Sequence, residues 1–98
     1  MYIMTEGENK KVTINIATTR LFSVHAYLVE GTGSIKVSQS NFNKPDRFEV
    51  VKTVELLTTD DSTRNAIISI KDAPCKYFQV ELVDPSVDCL IEVEILFK

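Results

Sequence analysis

From Val12 to Phe97 the chain alternates apolar and polar residues with a period of two, and β-branched and aromatic residues dominate the apolar positions. No window keeps the i, i+3, i+4, i+7 spacing of a helix face for ten residues. A strand turns successive side chains to opposite faces, whereas a helix returns to one face every three or four positions, so this rhythm restricts the chain to β-structure. Turn-forming residues divide it into seven expected strands, near residues 11 to 17, 21 to 30, 34 to 40, 48 to 57, 66 to 71, 76 to 83 and 88 to 97. Tyr2 to Met4 can add a further short pairing. The expected fold is all-β, a two-layer antiparallel β-sandwich of jelly-roll or immunoglobulin-like type with seven to eight strands. A single domain over residues 1–98 is expected, which hides roughly 65% of its unfolded surface.

Residues that face one another across an antiparallel pair share a side of the sheet, so parity tests each expected hairpin. With Asp84-Pro85-Ser86-Val87 as a turn, Val83 meets Asp88, and Leu82 pairs with Cys89, Val80 with Ile91 and Phe78 with Val93 on one face. Glu81 with Leu90, Gln79 with Glu92 and Tyr77 with Glu94 take the other, giving a core side and a wet side. In the strand over 21 to 30, Phe22, Val24, Ala26 and Leu28 share the core side, while Leu21, His25, Tyr27 and Val29 share the opposite one. Apolar residues on both sides mark this strand as central and partly covered on both faces. Gly31-Thr32-Gly33-Ser34 supplies the next turn and sets Leu28 against Val37. Ser40 to Arg47 and Thr58 to Asn65 are rich in turn formers and make the long loops, where binding residues collect on a scaffold held by strands.

Eleven basic against fourteen acidic residues leave a net charge of -3, so the whole-molecule field repels a phosphate backbone and argues against nucleic acid as a partner. Met1 to Lys11 has no apolar run after a basic stretch, and no later run reaches the roughly 18 apolar residues of a membrane helix. A soluble product without membrane insertion is expected. His25, the only histidine, falls across from Ser38 or Ser40 on the non-core face. Nucleophilic catalysis also needs an orienting acid and an oxyanion site at a sharp turn, and the sequence has no Gly-x-Ser-x-Gly element. His25 therefore reads as structural, and no catalytic residue is named.

Cys75 falls opposite Leu96 and Cys89 opposite Leu82, on opposite faces and roughly 23 Å apart at strand rise. Two reduced thiols follow, and without CxxC spacing a zinc site is not expected. Asp60-Asp61, and Asp84 with Asp88, lack the alternating ligands of a calcium loop and read as turn residues. Gly31-Thr32-Gly33 follows one strand and precedes another, so it is not a phosphate loop, and no cofactor is expected. Tyr27 and Tyr77 fall on non-core parity, where a ring face can stay open to a ligand. With Phe42, Asn43 and Arg47 of the first long loop and Arg64 of the second, they form the candidate binding surface.

The strand Gly33-Ser34-Ile35-Lys36-Val37-Ser38-Gln39-Ser40 is followed by Cys75-Lys76-Tyr77-Phe78-Gln79-Val80-Glu81-Leu82, a turn, and a closing strand from Cys89 to Phe97. In this order of features, over Gly33 to Lys98, the chain resembles the small β-sandwich accessory proteins of tailed bacteriophage particles. It departs from their commoner form in having no Asp-Gly pair and no Trp after the first of those strands. The resemblance implies a virion component of capsid, neck, tail or fibre, made in the host cytoplasm, that acts by self-association and docking without a cofactor. The residues lead to a similar expectation: few inward charges or prolines block the edge strands, and Val29, Leu90 and Leu96 fall on non-core faces. A non-enzymatic homo-oligomer or lattice-docked subunit is expected. The alternative is a cytoplasmic carbohydrate- or peptide-binding module using Tyr27, Tyr77 or the two long loops.

Overall fold

The computed structural model describes the chain except for residue 9, residues 16–20, residues 72–74 and residue 98. Eight strands run through the described residues: β1 (Tyr2–Thr5), β2 (Lys11–Asn15), β3 (Leu21–Glu30), β4 (Gly33–Ser40), β5 (Glu49–Leu56), β6 (Asn65–Lys71), β7 (Tyr77–Val83) and β8 (Leu90–Phe97). The short pairing of Tyr2 to Met4 is β1, and the other strands begin and end within two residues of their expected limits. Residues 16 and 17, expected to continue β2, lie outside the described residues. Among the described residues no helix is long and apolar enough to cross a membrane.

The strands form two antiparallel sheets, ordered β1-β8-β3-β6 and β2-β7-β4-β5. β4 meets β5 as a hairpin through residues 41–48, and outward from that fold β3 meets β6, β2 meets β7 and β1 meets β8. The chain is thus one long antiparallel ribbon folded at its middle. Rolling the ribbon adds the β3–β8 and β4–β7 ladders and leaves two facing four-stranded sheets. That is the jelly-roll arrangement, and it separates this sandwich from the immunoglobulin-like type.

Two expected hairpins do not form. β7 and β8 lie in different sheets, as do β3 and β4, so Leu82 does not pair with Cys89, nor Leu28 with Val37. Val80 instead faces Val12 and Val37, and Ile91 faces Met4 and Leu28. Parity still selects the interior correctly: Phe78, Val80, Leu82, Cys89, Ile91 and Val93 are all buried. The reason is geometric. A turn that stays in one sheet and a turn that crosses to the facing sheet both return alternate side chains to the same shared interior.

Phe22 of β3 and Phe78 of β7 stack at the centre of that interior, with ring centroids 4.5 Å apart and planes 18° from parallel. Because the two strands belong to different sheets, the pair bridges the layers. Both rings are fully buried, as are Leu28, Ile35, Leu56 and Met4. Hiding each such side chain stabilises the fold by about 1.5–3 kcal/mol.

Ser86 ties the β3–β4 and β7–β8 crossovers together. Its hydroxyl accepts the Thr32 N–H at 2.9 Å and donates to Asp88 Oδ1 at 2.7 Å, while its own N–H donates to the Thr32 carbonyl at 2.9 Å. Gly31 reaches this contact with φ 77°, a left-handed conformation that a Cβ disfavours. Asp84 is also left-handed, at φ 48°, which Asp tolerates better than most residues.

The second long loop contains a one-turn helix that the alternation does not announce, α1 (Asp61–Arg64). Asp60 caps it, its carboxylate accepting the Thr63 N–H at 3.0 Å while the Thr63 hydroxyl accepts the Asp60 N–H at 3.2 Å. Pro45–Arg47 forms a 3-10 turn in the first long loop. Cys75 and Cys89 are free thiols, yet they do not point to opposite faces: Cys89 is buried and Cys75 packs against the same core. Cys75 precedes β7 by two positions, so the alternation of that strand does not reach it.

Candidate functional site

The residues proposed for binding fall into two groups. Gly33 at the start of β4 faces Leu56 at the end of β5, whereas residues 41–48 join the other ends of these strands. The segment from Leu56 to α1 therefore lies at the opposite end of the sandwich from Phe42, Asn43 and Arg47. Tyr77 faces Ser40 and belongs to the 41–48 end. Tyr27 faces Asn65 and belongs with Arg64 at the other.

At the 41–48 end, the Arg47 guanidinium sits 5.3 Å from the centre of the Phe42 ring, and the ring is 55% exposed. Arg47 Nε also lies 3.5 Å from Asp46 Oδ2. The Lys76 ammonium is 5.5 Å from the half-buried Tyr77 ring, and the Lys76 N–H donates to Asn41 Oδ1 at 3.0 Å. Asn43 is exposed. Each aromatic ring here is accompanied by a cation from its own neighbourhood, a contact worth about 0.5–1 kcal/mol at exposed sites.

At the other end, Arg64 Nη1 donates to the Tyr27 hydroxyl over 3.4 Å, a long bond. His25 Nε2 lies 2.8 Å from Asn65 Oδ1, and Asn65 Nδ2 donates to the Asp61 carbonyl at 2.7 Å. His25 is not across from Ser38 or Ser40. Those serines are buried in the facing sheet, and the ladder neighbours of His25 are Glu94 on β8 and Ile67 on β6. The displacement follows from β3 and β4 crossing between sheets instead of pairing.

Two of the turn carboxylates, Asp60 and Asp88, accept local hydrogen bonds. Asp60 lies below the usual aspartate range, first because the Ser62 hydroxyl donates to it and then because the Thr63 N–H does. Among the described residues no three His, Cys, Asp or Glu side chains gather as a metal-binding group. Burial, reinforced by the Asp88 charge, pushes the Cys89 thiol above its ordinary value. On the outer face of the β2-β7-β4-β5 sheet, Glu81 stands between two lysines, 3.0 Å from Lys36 Nζ and 4.0 Å from Lys11 Nζ. Glu6, Lys10, Lys36, Glu81, Asp84 and Pro85 are among the residues lining an open depression beside it, where charges of both signs alternate.

The sequence matches no protein-family model, and no curated protein matches it either.

Both sheets carry large apolar side chains outside the core. Val29 is 40% exposed, Leu96 50% and Ile67 63% on the β1-β8-β3-β6 sheet, with half-buried Leu90 at the Val29 end, and Val50 and Val51 of β5 are 51% and 40% exposed on the other sheet. Ile67 belongs to β6, an edge strand of that sheet with no further strand paired to it among the described residues, and was not among the residues the sequence singles out. Its signal was present: in Asn65-Ala66-Ile67-Ile68-Ser69-Ile70-Lys71 parity sends Ile67 to the side opposite Ile68 and Ile70.

Proposed function

We propose that this chain is a non-enzymatic structural module that acts by self-association and docking, in the manner of a virion accessory protein. A jelly roll hosts many functions, so the fold alone does not carry the reading. What supports it is the outer side of the β1-β8-β3-β6 sheet, where Ile67, Leu96 and Val29 are 63%, 50% and 40% exposed. Ile67, the most exposed of them, lies on the edge strand β6, where a partner strand would cover it. The aromatic candidates, by contrast, are divided between the two ends of the domain and do not converge on one cleft.

Sedimentation velocity across a concentration series tests the reading. Self-association is expected, and a strict monomer at high concentration, with no binding to assembled particles, would refute it. A carbohydrate- or peptide-binding role is the second reading, favoured by the exposed Phe42 ring at the same end as Tyr77. Glycan binding abolished by Tyr77→Ala in a folded protein would put that role first.

A further inference from the structure

We infer that the free edge of β6 receives β6 of a second copy of this chain, antiparallel across a two-fold axis through Ile68, joining two four-stranded sheets into one of eight strands. The inference rests on the self-association reading above and names its interface.

Every edge strand presents unpaired N–H and C=O groups, and soluble proteins blunt such edges with charges, prolines, bulges or brevity. The four edges of this sandwich differ in that respect. β1 has only four residues. β2 begins with Lys11, which is drawn to Glu81, and its outward residues Thr13 and Asn15 are polar. β5 carries Glu49, Lys52 and Glu55, and its ladder with β4 is broken by a bulge between Val37 and Ser38. β6 has none of these devices. It runs for seven residues in unbroken register with β3, contains neither Pro nor Gly, and bears no charge before its last residue, Lys71. A long, unbulged, uncharged edge rich in β-branched residues is a template for another strand.

The sequence of β6 also suits a copy of itself. An axis perpendicular to the sheet keeps core faces with core faces, so only residues of equal parity can meet. With Ile68 on the axis, Ala66 stands opposite Ile70, Ile67 opposite Ser69, and Asn65 opposite Lys71 of the second copy. Small residues meet large ones and no like charges coincide, which is the cross-strand condition for a stable ladder. All seven residues are paired, giving about six to eight backbone hydrogen bonds. The neighbouring edge β5 touches β6 and exposes Val50 at 51% and Val51 at 40%, so the same flank offers further apolar surface to the second copy.

The test uses the full chain. Sedimentation velocity should show Ile67→Lys weakening self-association on the order of tenfold, because the new charge sits at the joined edge. Val87→Lys, 92% exposed in the β7–β8 crossover and on no strand edge, should leave it within about twofold. Circular dichroism checks that both variants keep the fold. The register is read separately by oxidising a mixture of Ile67→Cys and Ser69→Cys chains, which should cross-link faster than either chain alone. Self-association untouched by Ile67→Lys, with no cross-link in the mixture, would overturn the β6 interface while leaving the self-association reading standing. A wild type that is monomeric at high concentration and binds no assembled particle would remove both.

Discussion

Replacing Gly31 by Ala, alone and together with Ser86→Ala, tests whether the two crossovers lie side by side. At φ 77° a residue with a Cβ costs about 1–2 kcal/mol more than glycine. The added methyl would also lie 2.5 Å from Ser86 Oγ, 2.7 Å from Asp88 Oδ1 and 2.8 Å from Cys89 Cα. Turning the Ser86 hydroxyl away breaks its bonds to Thr32 and Asp88, and the Cα moves only with the crossover itself, so such overpacking costs about 1–3 kcal/mol. Gly31→Ala should therefore destabilise the domain by about 2–5 kcal/mol, a large share of the 5–15 kcal/mol typical of a whole domain. Ser86→Ala removes the hydroxyl that accepts from Thr32 and donates to Asp88. These bonds lie at the surface, so water replaces part of them, and the loss should be about 1–2 kcal/mol. In the double variant the methyl added at position 31 no longer meets a hydroxyl at position 86, so the destabilisation should fall short of the sum by about 0.5–3 kcal/mol. Urea unfolding followed by far-UV circular dichroism on the four proteins gives the cycle. Strict additivity, within about 0.3–0.5 kcal/mol, would refute the reasoning. It is the outcome expected if Gly31 lay in an isolated hairpin turn remote from Ser86.

Phe78→Ala removes half of the stack that bridges the sheets and should cost about 3–5 kcal/mol, read as a lowered urea midpoint with no gain in regular structure elsewhere. In native protein at mildly alkaline pH, a thiol reagent should modify half-buried Cys75 well before Cys89, which is buried and whose thiolate is disfavoured; peptide mapping after brief alkylation checks the order, and both should react once urea unfolds the chain. Asp60 has a folded-state pKa below its unfolded one, so its contribution is present above the ordinary aspartate value of about 3.9 and is lost as pH falls through the lowered one. The stability advantage of the wild type over Asp60→Asn should accordingly shrink under acid, as thermal melts from neutral to strongly acidic pH would show.

Which residues point inward was legible in the sequence, because burial is written residue by residue in the alternation. Phe22, Val24, Ala26 and Leu28 are buried as expected, and so are Phe78, Val80, Leu82, Cys89, Ile91 and Val93. Which strands are neighbours was not legible. β1 pairs with β8 and β2 with β7, at opposite ends of the chain, and no local residue pattern encodes such distant partners. Turn chemistry misled for the same reason: Gly31-Thr32-Gly33 and Asp84-Pro85-Ser86 have hairpin composition, yet each spans the gap between layers. The helix α1 escaped because its capping box uses Asp60 and Thr63 within a stretch already rich in turn residues, without the glutamate that usually betrays such a box.

The edge character of β6 shows most clearly where sequence reasoning stops. Read alone, Asn65-Ala66-Ile67-Ile68-Ser69-Ile70 looks like a strand covered on both faces and flanked on both sides, since it has no charge to spend on water. The topology agrees with only half of that: Ala66 and Ile68 are buried against the facing sheet, but among the described residues no strand pairs with the outer flank of β6, and Ile67 stands in solvent. A composition suited to a central strand, placed at an edge, is the mismatch that a second copy of β6 would resolve, because pairing would make the strand central in an eight-stranded sheet. If Ile67→Lys leaves assembly intact, the uncharged edge must be covered by some other partner or tolerated in water, and the match of β6 to its own copy would have no bearing on assembly.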